Sequence, residues 1–372
     1  MNRSQKLVRV RIEFLIELPY DLILDCKSKV FKLECKEKSQ RIKKIHIKKY
    51  YIYKNYIYLR SEFKPTIIKA EFYARGKVLL SGEYFVVHGA TSLALPTKLG
   101  QKMKIQELSG SEVIWNSFDN KGKKWFEAEI DLMGLDVVKS SDEQIGKYLK
   151  KLFKACCQNN SEFLSHWKKY KVDHYLEFPR EWGLGSSSTL IYNMSGWADI
   201  NPYHLYFDIA DGSGYDVACA GADGPILYTL GDGSLNVEEV EVNYPFKDQL
   251  YFVPLGNKVS SNDAVKLAKK KNPDKKLIDK ITHLSEKALE LKTLKSFETW
   301  IKEHEDLVSS FIGMPRVKES NFSDYWGEIK SLGAWGGDMV LVTSEKPESE
   351  VAAYFEAKGY PTLLKYKDLI YK

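Results

Sequence analysis

The sequence predicts an α+β protein in two halves, preceded by a basic segment. Three features carry that expectation. Alternating apolar and polar residues from Ile67 onward have the two-residue period of strands, and runs with helical spacing stand between them. The chain then closes on a strand, a helix and a strand (MVLVT, SEVAAYFEAKGY, TLLKY), the ending that a split β-α-β unit needs. A length of 372 residues gives room for two ordinary domains and an appendage, and 44% hydrophobic with 28% charged residues suits a globular chain.

Residues 1–66 hold 17 Lys and Arg against 7 Asp and Glu, a net of +10, so residues 67–372 carry −4 of the chain's +6. Three readings of this segment (IKKIHIKKYYIYKNYIYLR in its later part) stand: a basic arm, a strand hairpin turning at Lys54 and Asn55, or translated sequence upstream of the functional start. The third is preferred, because the motifs described below begin shortly after residue 67.

Ile67 to Val87, TSLALPTKLG and QKMKIQEL read as strands, and EVIWN with KWFEAEIDL as a hairpin around Asp119 to Lys123. Asp142 to Asn159 places Ile145, Tyr148, Leu149, Leu152 and Phe153 on one helical face. Val172 to Phe178 is a strand, and Pro202 to Ile209 a short helix. From Leu250 a strand (YFVPLG) precedes helices at Ser260 to Lys269, Asp274 to Leu291 and Ser296 to Ile312. The organisation expected is 1–66, 67–248 and 249–372.

Chemistry gathers at glycine clusters. Gly183, Leu184, Gly185, Ser186, Ser187 and Ser188 (GLGSSS) lie between the Val172 strand and a helical run. Such a junction turns backbone amides and a positive helix end toward an anion. Taken alone, it reads more often as a plain turn with a serine cap. Upstream, ARGKVLLSGEYFVVHG (74–89) carries Lys77 at the start of an apolar run and Glu83 at its end; alone, Lys77 is an edge-strand lysine and Glu83 a structural acid. Downstream, GSGYDVA (212–218) places Asp216 just after two glycines, where alone it is a turn carboxylate. A further cluster, LGAWGGDMVLVTS (332–344), is a tight loop feeding an apolar strand.

This ordered set resembles the GHMP kinases, the family of galactokinase, homoserine kinase, mevalonate kinase and phosphomevalonate kinase. The likeness runs from about Lys69 to near the C-terminus, with the family's motifs at Gly76 to Gly89, Pro179 to Ser188 and Gly333 to Asp338. It implies an N-terminal domain like domain 2 of ribosomal protein S5, a ferredoxin-like C-terminal domain and an active site between them. It implies ATP and Mg2+ as cofactors, with Ser187 as a metal ligand and a small-molecule alcohol as acceptor. Asp216 aligns with the aspartate that takes the acceptor hydroxyl proton, and Lys77 with the lysine that keeps it ionised. Glu83, Tyr84, Ser213 and Tyr215 would border the acceptor.

The aspartate points to the mevalonate and phosphomevalonate branch, and so to isoprenoid precursor synthesis. Mevalonate is the first choice of acceptor; GEY at Gly82 to Tyr84 is commoner among phosphomevalonate kinases. One position departs from the pattern. The family's second magnesium ligand, a glutamate, falls at Leu205, with Asp208 and Asp211 the nearest acids. That departure raises the rival of a nucleotide-binding protein without catalysis, against which Lys77 and Asp216 together argue. His88, Lys98, Arg75 and Arg180 are the cations available for an acidic acceptor.

The remaining features exclude other classes. Five cysteines (Cys26, Cys35, Cys156, Cys157, Cys219) make no zinc-ligand spacing and read as reduced thiols. No apolar run approaches the roughly 20 residues of a membrane span, and the first residues lack a signal peptide's apolar core. The expectation is a cytoplasmic monomer or homodimer, with neither nucleic acid nor membrane as partner.

Overall fold

The structure is a computed structural model that describes residues 20–25, 30–35, 49–53, 56–60, 68–166, 168–231, 234–256 and 261–372. The chain divides into two compact units, Met1–Thr66 and Ile67–Lys372. In the first, β1 (Tyr20–Asp25) pairs antiparallel with β2 (Val30–Cys35), and β3 (Lys49–Tyr53) with β4 (Tyr56–Arg60). The second pair flanks residues 54–55, where the sequence places a hairpin turn; that turn lies outside the described residues.

The second unit opens with two long strands, β5 (Ile68–Ser81) and β6 (Ser92–Leu108), paired antiparallel. The register slips between Arg75 and Lys77, at Gly76, and the Lys77 N–H leaves the ladder to donate to the Leu184 carbonyl at 3.0 Å. The first motif is thereby fastened to the glycine–serine loop. Next come the hairpin β7 (Glu112–Phe118) and β8 (Lys124–Asp131), then β9 (Val137–Ser140), helix α1 (Glu143–Asn159) and β10 (Lys169–Leu176). Asp142 caps α1 by accepting from the Ile145 amide at 3.0 Å.

Three helices follow: α2 (Ser186–Ala198), α3 (Pro202–Ile209) and α4 (Tyr215–Ala220). Strands β11 (Ile226–Gly231) and β12 (Ser234–Glu239) complete an eight-stranded sheet of order β12-β11-β6-β10-β7-β8-β9, with β5 along the other edge of β6. Sheet and helices enclose one core of Met103, Trp115, Phe153, Met194, Leu205 and Val217.

The remaining chain runs β13 (Leu250–Pro254), α5 (Ser261–Lys269), α6 (Lys275–Lys287), α7 (Leu294–Ile312), α8 (Val317–Asn321), β14 (Ile329–Leu332), β15 (Met339–Thr343), α9 (Glu348–Ala357), β16 (Leu364–Lys365) and α10 (Tyr366–Leu369). Its antiparallel sheet has the order β14-β15-β13-β16. Helix α7 begins two residues before the apolar stripe predicts, because Thr293 and Ser296 form a capping box around its first turn.

The closing strand is shorter than TLLKY suggests. Two residues pair, and Tyr366 turns into α10 with its ring packed on Phe252 and Tyr244. The two sheets share a second core: Leu80, Leu93 and Phe178 of the first half pack with Phe252, Phe297 and Trp300 of the second. That common interior explains why residues 67–372 form one unit, and Tyr371 ties the C-terminus back by donating its N–H to the Pro96 carbonyl at 2.9 Å.

A chain of residues 67–372 expressed alone is expected to be soluble and to melt in one cooperative transition, followed by circular dichroism. Insoluble product, or a broad non-cooperative melt, would mean that residues 1–66 complete its core.

Candidate active site

Helix α2 begins on glycine. Its N-cap, Gly185, sits in the left-handed region at φ 87° and brings no side chain to cap the first turn. Ser188 Oγ instead donates to the Gly185 carbonyl at 2.8 Å, and Thr189 Oγ1 to Gln101 Oε1 at 3.0 Å. The loop therefore presents the positive end of a thirteen-residue helix with the Ser187 hydroxyl beside it, 3.2 Å from the Tyr148 phenol of α1.

Lys77 runs along this loop. A Cβ built on Gly185 would lie 3.2 Å from Lys77 Cγ, so glycine is what lets the lysine stem pass. The ammonium nitrogen stands 5.6 Å from the centre of the Tyr215 ring, and the charge of Asp216, the next residue of α4, acts on it. Burial alone would lower the lysine's pKa; Tyr215, Asp216 and Asp338 outweigh it and hold the ammonium above its ordinary value. Burial conversely pushes the Asp216 carboxyl above the ordinary range, and Lys77 pulls it back, as do the amides of Asp216 and Val217. The Val217 N–H donates to Asp216 Oδ1 at 3.1 Å.

Phenols surround this pair. Tyr148, Tyr206, Tyr215 and Tyr228 all feel the Asp216 charge, and burial pushes the Tyr215 hydroxyl up to about 12. Ser213 is buried, with its carbonyl accepting from the Tyr228 hydroxyl. Lys77, Gly183 and Leu184 line one small pocket together with Gly333 and Asp338 of the last glycine cluster. The three distant motifs thus face one another.

Glu83 and Tyr84 take interior contacts. Glu83 Oε1 accepts from Lys330 Nζ at 2.9 Å, and Lys330 also pairs with Glu305 Oε1 at 3.4 Å; all three are buried. His304 accepts from the Gly82 N–H at 3.2 Å, and burial, with Lys330 nearby, holds its pKa well below normal, so the ring is neutral. The Tyr84 hydroxyl accepts from the Trp335 N–H at 2.9 Å, which locks the first motif to the last glycine loop. Glu83 lies close enough for Lys77 to act on its charge, yet Lys330 claims its carboxylate.

Leu205 is fully buried in α3 and packs in the core. Asp208 is exposed and accepts from Asn159 Nδ2 at 2.6 Å, while Asp211 is exposed beyond α3. The four proposed acceptor cations have other partners. His88 bonds the Ala268 carbonyl at 3.0 Å, Lys98 donates to that of Lys367, Arg75 stacks 3.3 Å over Tyr371, and Arg180 lies 3.8 Å over Trp125.

Among the described residues no three His, Cys, Asp or Glu side chains gather to hold a metal unaided. A hydroxyl at an open helix end instead suits a magnesium ion that arrives on phosphates and keeps most of its shell from phosphate and water. Cys156 and Cys219 are free and buried, and burial pushes both thiols up, so they are packing residues.

Sequence reasoning missed Tyr148, Lys330, Asp338 and helix α4. Asp338 was visible inside the last glycine cluster, whereas Lys330 looked like any strand lysine, and six residues are too few to reveal a helical period.

No protein-family model and no curated protein matches the sequence. Solved structures do match. The Methanococcus jannaschii mevalonate kinase superposes with a TM-score of 0.58 at 17% identity, covering 82% of this chain and 98% of that one. A Streptococcus pneumoniae phosphomevalonate kinase in complex with phosphomevalonate and AMPPNP gives 0.59 at 14% identity, over 80% and 99%. The Lactococcus lactis galactokinase complexed with galactose gives 0.53 at 13%, over 82% and 96%. The fold is that of the GHMP kinases. The three facing motifs lie in the unit Ile67–Lys372.

The buried Glu83–Lys330–Glu305 cluster has a measurable signature. Burial, reinforced by Glu83 and opposed by Lys330, raises the Glu305 carboxyl from 4.5 to about 7. Across that window the folded chain holds a proton that the unfolded chain has released, so the group's contribution to stability falls as pH rises. Urea unfolding at pH 5 and pH 8 should show Glu305→Gln losing less stability between the two than the unaltered chain, by on the order of 2 kcal/mol. Equal losses in the two proteins would contradict this.

Proposed function

We propose that this chain is an ATP-dependent small-molecule kinase of the GHMP family, which transfers the γ-phosphate to an alcohol, with mevalonate as acceptor. One observation carries the proposal: a part-buried ammonium and a part-buried carboxylate, Lys77 and Asp216, act on each other's charge near the glycine-initiated end of α2. Phosphoryl transfer asks the protein for little covalent chemistry. It asks for two oxygens in line at phosphorus and for positive charge around the phosphate.

The amides of Ser186 to Ser188 hold the terminal phosphates, and the α2 dipole adds to their pull. Asp216 accepts the proton of the acceptor hydroxyl as that oxygen bonds to the γ-phosphorus; the bond to the β–γ bridging oxygen breaks, and ADP departs. Lys77 keeps Asp216 ionised beforehand and faces the phosphate oxygens during transfer. Magnesium, when bound, neutralises phosphate charge, and the Ser187 hydroxyl is the residue that would hold it. Tyr215 and Ser213 border the acceptor, while Glu83 and Tyr84 act from behind by fixing the first motif against the last glycine loop.

The strand order β14-β15-β13-β16, with helices after β13 and one after β15, supports the ferredoxin-like reading of residues 249–372. Residues 67–248 then supply the nucleotide-binding half. Phosphomevalonate is the second acceptor reading, favoured by Tyr84 after Gly82 and Glu83 and by the likeness to the pneumococcal enzyme.

The test is a coupled ADP-release assay with mevalonate, phosphomevalonate, galactose and homoserine. Turnover of mevalonate is the expected result; tight ATP binding with no turnover of any acceptor would overturn the enzyme reading. Asp216→Asn should lower kcat by about 10²–10⁴-fold with little change in nucleotide affinity. Lys77→Met should in addition move the acidic limb of the pH profile upward, because Asp216 loses the cation that opposes its burial. An unmoved limb would mean that the two groups do not act as a pair.

A further inference from the structure

We propose that Tyr148 is a positioning residue for Ser187: its phenol oxygen accepts the serine's hydroxyl proton, which leaves a lone pair of Ser187 Oγ free for the cation that accompanies a nucleotide. The inference rests on the nucleotide reading above and adds a residue of α1 to the machinery of that site.

The two oxygens stand 3.2 Å apart. Ser187 is exposed in the first turn of α2, and Tyr148 is half-buried on α1. The next serine, Ser188, bonds the loop's own backbone at the Gly185 carbonyl, 2.8 Å away. Tyr148 is held in its place because α1 is fastened to both neighbouring helices. Lys151 donates from Nζ to the Ile209 carbonyl at the end of α3 at 3.1 Å, and Asn159 from Nδ2 to Asp208 Oδ2 of α3 at 2.6 Å. Both share a helical face with Tyr148. Phe153 of α1 meets Trp197 of α2 edge-on, with ring centres 5.9 Å apart.

A bond between two hydroxyls uses one of their two protons, so its direction decides what the serine offers. Were Tyr148 the donor, Ser187 would spend a lone pair on the phenol and aim its own proton at the site. Burial raises the Tyr148 hydroxyl above its ordinary pKa, Ser187 draws it back and the Asp216 charge adds to the rise, so the phenol keeps its proton. That negative charge also attracts the positive end of the phenol O–H, which leaves the phenol's lone pairs for the serine. Ser187 then donates, and its oxygen offers the site an acceptor. Direction matters because position 205, where the resemblance sets a metal-binding glutamate, is a leucine buried in the core. With leucine there, a larger share of the hold on the cation falls to the serine oxygen. Partners of this kind, which orient a ligand without touching the metal, typically change affinity about 10–100-fold when removed.

Isothermal titration of the full chain with AMPPNP at saturating magnesium tests this. Tyr148→Phe keeps the ring and removes the acceptor atom; it should weaken binding by about tenfold or more, with an unchanged melting profile. Ser187→Ala should weaken binding too, and adding Tyr148→Phe to it should cost nothing further, since the phenol acts through the serine. In EDTA, where no cation meets the serine, Tyr148→Phe and the unaltered chain should behave alike. An equal loss from Tyr148→Phe with and without the serine hydroxyl overturns the inference, because the tyrosine then acts directly or through the fold. So does a loss that persists in EDTA, which would mean that the hydroxyl pair donates to phosphate, and so does a Tyr148→Phe protein that binds as tightly as the unaltered chain in magnesium. If the unaltered chain binds AMPPNP in neither buffer, the nucleotide reading falls, and this inference with it.

Discussion

A lysine and an aspartate drawn partly out of water stay charged more readily when each favours the other's charged form. Lys77 and Asp216 are in that position, and the rest of residues 67–372 holds them there. Removing either partner would leave the other's part-buried charge without the group that favours it. Such a pair adds little to stability, and perturbed charges of this kind cluster at functional sites.

Both members depend on backbone irregularities at glycine. The register slip at Gly76 sends the Lys77 amide to Leu184, so one residue anchors the loop with its backbone and serves the site with its side chain. Gly214 starts α4 in the left-handed region, at φ 85°, and so presents Asp216 in the helix's first turn. Behind them, Glu83 bonded to Lys330 and Tyr84 bonded to the Trp335 amide fix the first motif to the last glycine loop. The apolar core shared by both sheets keeps these loops from drifting apart.

Much of this was legible in the chain. Strand alternation, the α1 stripe and the Pro202 helix reflect local periods, which survive folding because each element buries one face. The glycine–serine loop was readable as a strand-to-helix junction for the same reason. What escaped depends on distant partners. Lys330 has no local mark that distinguishes a buried strut from a surface lysine; only Glu83, 247 positions earlier in the sequence, gives it meaning. The resemblance sets Glu83 and Tyr84 beside the acceptor, and their side chains turn to Lys330 and the Trp335 amide. Leu205, conspicuous as a missing acid, proves to be an ordinary core leucine of α3.

The account stands or falls on where a nucleotide's last phosphate settles. A crystal structure of residues 1–372 with AMPPNP and magnesium should place the γ-phosphate on the amides of Ser186 to Ser188, with Lys77 touching its oxygens and the Asp216 carboxylate facing its open side. A nucleotide bound elsewhere, or a γ-phosphate at the loop with Asp216 turned away from it, would contradict the account.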